Sequence, residues 1–166
     1  LIEQKNDEFM LEVFREVLKK RKDAVLAFVG RGPLEEKLKD TVNKWGINES
    51  VLFLGVRNDV EKLLNMFDVF VLPSLYEGLP VVLVEAQANG LSAVVSDRIT
   101  KEVQVTDLIQ YVSLEKSPQE WANIILNTKL IPEGERLTYA EKVCTSGYDI
   151  SNEAAKLEEF YKGGNT

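Results

Sequence analysis

Residues 68–97 read DVFVLPSLYEGLPVVLVEAQANGLSAVVSD, and the fold turns on how that stretch alternates. DVFVLP (68–73) is a short apolar run halted by Pro73, as a buried strand should be. Pro80 is suited to open a helix over VVLVEAQAN, and Gly90 to end it. SAVVS (92–96) then reads as a second strand. Valines are indifferent helix formers, so the helix between must be held by burial on more than one side. Strand, helix and strand at this spacing make a βαβ unit with its strands parallel.

The alternation continues outward. Upstream, Phe9, Met10, Val13, Phe14, Val17 and Leu18 follow helical spacing behind Asn6 or Asp7 as N-cap. AVLAFVG (24–30) predicts a buried strand, and Pro33 the first position of a helix whose face runs through Leu34, Leu38 and Trp45 to Gly46. VLFLG (51–55) predicts another strand, and Asn58 to Glu61 a capping box opening a short helix through Leu63, Leu64 and Phe67. Downstream, LIQYVSL (108–114) is a further strand. SPQE (117–120) is the sharpest helix start, with Ser117 as cap, Pro118 at the first position and Glu120 closing the box. Helices around 135–145 and 152–162 follow, the last with Ser151 or Asn152 as cap. The predicted fold class is therefore α/β, a Rossmann-like doubly wound parallel sheet in one domain over residues 1–166. Such sheets bind ligands beyond the carboxyl ends of their strands, which singles out loops 30–33, 55–59, 73–80 and 96–101.

Composition removes several function classes. A net charge of -7, from 20 basic and 27 acidic residues, argues against a general nucleic-acid binder. The chain has no histidine, which excludes Ser-His-Asp catalysis and most zinc sites within it. No Asp-x-Asp cluster suggests a metal, and no cofactor is expected. The lone cysteine, Cys144, fits a reducing compartment and reads as an inert helix residue. No apolar run reaches the roughly 18 residues of a membrane span, and LIEQKND lacks the basic-then-apolar order of a signal peptide. Opening on apolar residues without Met is expected of a segment cut from a longer protein.

Glu77 sits in the loop at the predicted helix mouth and Glu85 about one and a half turns in. Backbone N–H groups from Gly78 to Val81 would be open to an anion such as phosphate. Ionised carboxylates accept paired hydroxyls of sugar or ribose, so one helix mouth could hold both halves of a sugar nucleotide. For two isolated glutamates, a solvated loop residue and a structural salt bridge would be the simpler reading.

The surrounding blocks tip that balance. EGLPVVLVE (77–85) resembles the E-x7-E signature of the group-1 glycosyltransferases, the retaining family with the GT-B fold, and FVGRGP (28–33), VLFLGVRNDV (51–60), DVFVLPSLYEG (68–78) and EAQANGLSAVVSD (85–97) are similar to its other blocks in family order. The likeness runs from about residue 2 to about 162. It implies the C-terminal, nucleotide-sugar-binding half of a two-domain enzyme, with a first strand and an N-terminal acceptor domain lying outside this chain. It further implies that Glu77 contacts the donor sugar and Glu85 the ribose. Gly78, Leu79 and Pro80 would turn around the phosphates, and Lys5 in EQKN would neutralise the diphosphate. The loop of Gly55, Val56, Arg57 and Asn58 would cradle the base; Arg31 in GRGP either touches phosphate or is a solvated loop arginine. The arginine that usually partners the lysine would fall just before Leu1.

EQKN, the run from Ser96 to Lys101 and the closing YDI…LEEFY most resemble bacterial capsule and exopolysaccharide enzymes. The departures, Ser92 in place of proline and Asn89 in place of a small residue, lie behind the site. The implied location is cytoplasmic, with membrane contact only through the half outside this chain. A non-catalytic nucleotide-sugar sensor or a GT-B epimerase would share the fold; an epimerase would need acid/base residues such as histidine. Asp97 and Arg98 are expected to cap a strand end, and Trp45 and Trp121 to be core. The resemblance implies that the last helix, 152–162, is a crossover helix whose partner domain lies outside this chain. Its stripe of Ala154, Leu157, Phe160 and Tyr161 is then expected either to fold against this domain, the favoured outcome, or to leave an exposed apolar patch that promotes self-association.

Overall fold

A computed structural model describes the backbone of residues 1–163 and the side chains of all of these but 150–153 and 156. Its elements are α1 (Asp7–Lys20), β1 (Leu26–Phe28), α2 (Glu35–Trp45), β2 (Val51–Phe53), α3 (Val60–Met66), β3 (Val69–Leu72), α4 (Val81–Ala88), β4 (Ser92–Ser96), β5 (Ile109–Val112), α5 (Pro118–Leu126), α6 (Glu133–Val143) and α7 (Ile150–Gly163). All strand pairs are parallel. The sheet comes in two pieces, β1–β2 and β3–β4–β5. β4 is buried along its whole length, whereas Leu26, Ala27, Val69, Phe70 and Val71 are only half-buried. A strand flanked on both sides is covered; β1 and β3 each have one neighbour among the described strands and keep an open edge.

The sheet is covered on both faces, and β4 shows it by alternation. Val94 joins a core built from α1, α2 and α5, with Leu11, Val13, Phe14, Leu38 and Trp121. Ala93 and Val95 point the other way, to Leu83 and Val84 of α4 and to Val143 of α6. α4 is thus packed on the sheet by one side, while Ala86 meets Leu64 of α3 and Leu91 on another. This burial holds a helix whose valines contribute little propensity of their own. At its end Gly90 takes φ 63° with Arg136 pressed against it; a Cβ there would lie 2.8 Å from three Arg136 atoms. Arg136 donates to the Asn65, Phe67 and Ile131 carbonyls at 3.1, 3.4 and 3.4 Å, tying α6 to the end of α3.

Local signals held where they were self-contained. At α5 the Ser117 hydroxyl accepts from Glu120 N and the Glu120 carboxylate accepts from Ser117 N at 2.9 Å. That N–H, with Lys116 and the Ser117 hydroxyl, brings the Glu120 carboxyl down to about 2. Two other helix starts differ from expectation. Pro33 lies two residues before α2, because Glu35 N closes a turn onto Gly32 O and Gly32 lies so close to the Leu1 backbone that no Cβ fits. The capping box at Asn58 to Glu61 does not form. Asp59 occupies the N-cap, and its carboxylate is taken instead by Arg57 at 2.8 and 2.9 Å.

The last helix also departs. Ala154, Leu157, Phe160 and Tyr161 are all exposed, so the stripe does not fold back onto this domain. A π turn at Cys144–Tyr148, with Gly147 at φ 90°, redirects the chain between α6 and α7. The backbone helix begins at Ile150; the cap expected from the side chain of Ser151 or Asn152 lies outside the described side chains.

Candidate functional site

A short 3-10 turn, Glu3–Lys5, precedes α1, and Asn6 leaves it in the left-handed region at φ 58°. The turn is stitched to the loop after β3. Leu75 N donates to Gln4 O at 2.9 Å, Gln4 Nε2 donates to Tyr76 O at 2.9 Å, and Asn6 Nδ2 donates to Pro73 O at 3.2 Å. These bonds bring together residues more than sixty positions apart. At their centre Lys5 Nζ donates to Glu77 Oε1 at 2.6 Å, and the fully buried Ser74 hydroxyl donates to the same oxygen at 2.7 Å. Gln4 Nε2 approaches Oε2 at 3.4 Å. The Glu77 side chain is 9% exposed and the Lys5 side chain 36%, so the carboxylate is anchored inward and the ammonium still reaches solvent. Gln4 and Ser74 were not singled out in the sequence; each stood inside a quoted motif, but nothing local marks a residue whose partner lies so far along the chain.

Glu77 also forms a parallel backbone bridge with Ile99 from the loop after β4. Three residues on, Pro80 is the N-cap of α4 and supplies no side-chain bond. The N–H groups of Val81 and Val82 therefore have no side-chain cap, as an anion would need. Glu85 lies on the exposed side of α4, and its carboxylate has no partner among the described residues. Leu79 and Val81 expose 47% and 61% of their surface at the same mouth. The loops after β1 and β2 meet beside it. Gly30 N donates to Gly55 O at 2.7 Å, and the Arg31 guanidinium lies 3.6 Å from where a Cβ on Gly55 would stand. Both glycines have positive φ, 118° and 64°, which lets the two loops approach.

Of the residues expected at the site, Lys5 and Glu77 are in direct contact, and Gly78, Leu79 and Pro80 form the approach to α4. Glu85 stands apart on the helix face. Gly55 and Arg31 are adjacent, Val56 and Asn58 are exposed, and Arg57 is drawn away by Asp59. The hydrogen bond from Arg57 holds the Asp59 carboxyl below its usual range. Among the described residues no group of three His, Cys, Asp or Glu is placed to hold a metal ion, and no helix is long and apolar enough to cross a membrane. Two half-open surface hollows lie elsewhere, about 450 Å³ around Gly46–Ser50 and about 140 Å³ around Leu108 and Ile131. The Lys5–Glu77 mouth is an open face.

Asp7, at the first position of α1, is 9% exposed and its Oδ2 has no partner. Burial pushes its carboxyl above the ordinary 3.8, against the opposing pull of Lys5 and the Ile2 N–H. A carboxyl raised in the fold is easier to ionise in the unfolded chain, so stability falls as pH rises from about 4 through the folded value. Asp7→Asn is expected to remove that slope and to stabilise the domain at pH 7. Urea midpoints at pH 4 and pH 7 check it: the gain over wild type grows with pH, and a gain equal at both values would refute the assignment.

A family model described as Glycosyl transferases group 1 matches residues 1–139. EpsF of Bacillus subtilis (strain 168), named as a glycosyltransferase, is 36% identical over 160 residues, 96% of this chain and 42% of its own length. CapH of Staphylococcus aureus, a capsular polysaccharide biosynthesis glycosyltransferase, is 30% identical over 166 residues, 96% of this chain and 45% of its own. The chain thus spans less than half the length of these relatives. Among solved structures, HepE of Anabaena in complex with UDP superposes with a TM-score of 0.73 at 18% identity, over 98% of this chain and 46% of that one. The pneumococcal O-GlcNAc transferase GtfA with UDP and GlcNAc gives 0.76 at 14%, over 98% and 34%. At these identities the structures establish the fold.

Proposed function

The chain belongs to the group 1 glycosyltransferases, and on that premise we propose that it is the donor-binding part of a retaining enzyme that moves a sugar from a nucleoside diphosphate sugar to an acceptor, in bacterial cell-surface polysaccharide synthesis. The observation that carries the reading is Lys5 paired to Glu77 at 2.6 Å beside the uncapped start of α4. A diphosphate at that mouth meets the Lys5 ammonium and the free N–H groups of α4 together. Departure of the nucleotide is then helped by fixed positive charge, and no metal ion is invoked. Ser74 and Gln4 keep hold of Glu77 when Lys5 turns to phosphate, which leaves the carboxylate aimed at the sugar. Glu85, unpartnered on the helix face, suits the ribose hydroxyls, and Gly55 and Val56 suit the base.

The acceptor site belongs to the remainder of the protein. The open edges of β1 and β3 suit a strand from the segment before Leu1, and the exposed stripe of α7 suits a crossover onto the acceptor domain. In this reading the enzyme acts at the cytoplasmic face, with membrane contact through the other half.

Calorimetry with uridine, guanosine and adenosine diphosphates tests the reading. At least one is expected to bind, and no heat with any of them at millimolar concentration would refute it. Glu85→Gln should weaken the bare diphosphate by about 1.5–3 kcal/mol through loss of a charged acceptor. Glu77→Gln should act mainly on the sugar-bearing ligand. Equal losses of bare diphosphate from both would show that the roles are not divided in this way.

A further inference from the structure

Gln87 is fully buried in α4, and its amide is saturated. Nε2 donates to Leu83 O at 2.9 Å in its own helix and to Val103 O at 2.8 Å. Oε1 accepts from Val105 N at 3.1 Å, Thr106 N at 2.9 Å and Thr106 Oγ1 at 2.9 Å. All but the first of these bonds run to the segment that leaves β4 and returns to β5. The same segment carries Ile99, 3% exposed, the backbone neighbour of Glu77. A position that needed only bulk would be filled by Leu or Met, since a buried amide is costly unless its donors and acceptors are used. Here they are all used, and four of the five bonds fall on one target.

We infer that Gln87 is a positioning residue for the donor-sugar site: by tying Val103, Val105 and Thr106 to α4 it holds Ile99 against Glu77. The helix bearing Glu85 and the loop bearing Glu77 then keep one relative geometry. The inference rests on the donor-site reading above, and it adds a residue that does not touch the ligand. Neighbouring Arg98 and Lys101, both exposed at this end of the sheet, travel with the same segment.

Gln87→Met keeps the volume and removes all five bonds. Thr106→Val removes one of the five, together with the bond its hydroxyl accepts from Leu108 N at 3.3 Å, and serves as the milder variant should the first not fold. The readouts are calorimetry with UDP and with UDP-glucose, and hydrogen exchange at 76–78 and 97–106. Faster exchange is expected in both segments. Affinity for UDP-glucose should drop about tenfold or more in Gln87→Met, because small misplacements of a positioned group are costly, with UDP little changed. Exchange that quickens in 97–106 but not at 76–78, or affinities for the two ligands that fall together, would make Gln87 merely structural and overturn the inference. Wild-type protein that binds neither of these nor the guanosine and adenosine diphosphates would instead refute the donor-site reading, and the exchange arm would still decide whether Gln87 controls Glu77.

Discussion

On the proposed donor-site reading, Lys5→Ala is expected to slow sugar transfer by the whole enzyme about 10²–10³-fold, the usual cost of removing one preorganised donor from a developing anion. The geometry explains why so large an effect comes with so little damage to the fold. Lys5 ends a 3-10 turn whose bonds are made by its backbone, its N–H donating to Ile2 O at 3.0 Å. Its side chain belongs to no core cluster. Truncation leaves Glu77 with the Ser74 hydroxyl at 2.7 Å, so the carboxylate is still partly satisfied and the stability loss is expected at about 1–3 kcal/mol. Lys5→Arg should recover the fold but only part of the rate, because a planar fork cannot occupy the place of a compact ammonium held 2.6 Å from Glu77. Initial rates at saturating donor, with thermal unfolding as the control, check the pair. Wild-type turnover in Lys5→Ala would end the diphosphate assignment.

Trp121→Ala carries the largest expected loss of stability, about 3–5 kcal/mol. Against a total of roughly 5–15 kcal/mol for a domain, that leaves it near the edge of folding. Trp121 is fully buried between α5 and α1, meets Phe9 edge-on at a centroid distance of 5.7 Å and donates its indole N–H to Ser113 O at 3.0 Å. Alanine would open a cavity in the contact between the two helices and take from the Ser113 carbonyl one of its two donors, leaving the Lys116 N–H at 3.2 Å. Trp45, half-buried with the Arg15 guanidinium 4.5 Å above its ring, should cost much less. Urea titrations of the two variants separate them; equal midpoints would show that α1 and α5 do not depend on Trp121.

Much of the fold was legible along the chain because its signals are short-range. Ser117, Pro118 and Glu120 need only each other to start α5. Pro80 and Gly90 bound α4, and the order of apolar runs gave a parallel α/β sheet wound on both faces. Where reading failed, a competing partner had intervened, near or far along the chain. Asp59 was claimed by Arg57 instead of a helix N-terminus, and Gly32 and Pro33 shape a turn against Leu1 before α2 can begin. The stripe on α7 was visible as a pattern, but a helix with an apolar face does not state which surface covers it, and Leu157, Phe160 and Tyr161 stand open on this domain.

The site divides the same way. Residue types, spacing and likeness to a family were enough to single out Lys5, Glu77 and Glu85 as candidates and to suggest a class of ligand. None of these could state that Lys5 and Glu77, 72 positions apart, share one hydrogen bond, or that Gln4 and Ser74 hold the same carboxylate. Nor could they show that a glutamine in the middle of α4 fastens the segment alongside Glu77. Periodicity, caps and turn preferences act over a few residues and are written where they act. Contacts between side chains far apart in sequence exist only once burial of α1, α4 and the sheet has closed the chain, so they belong to the tertiary structure alone.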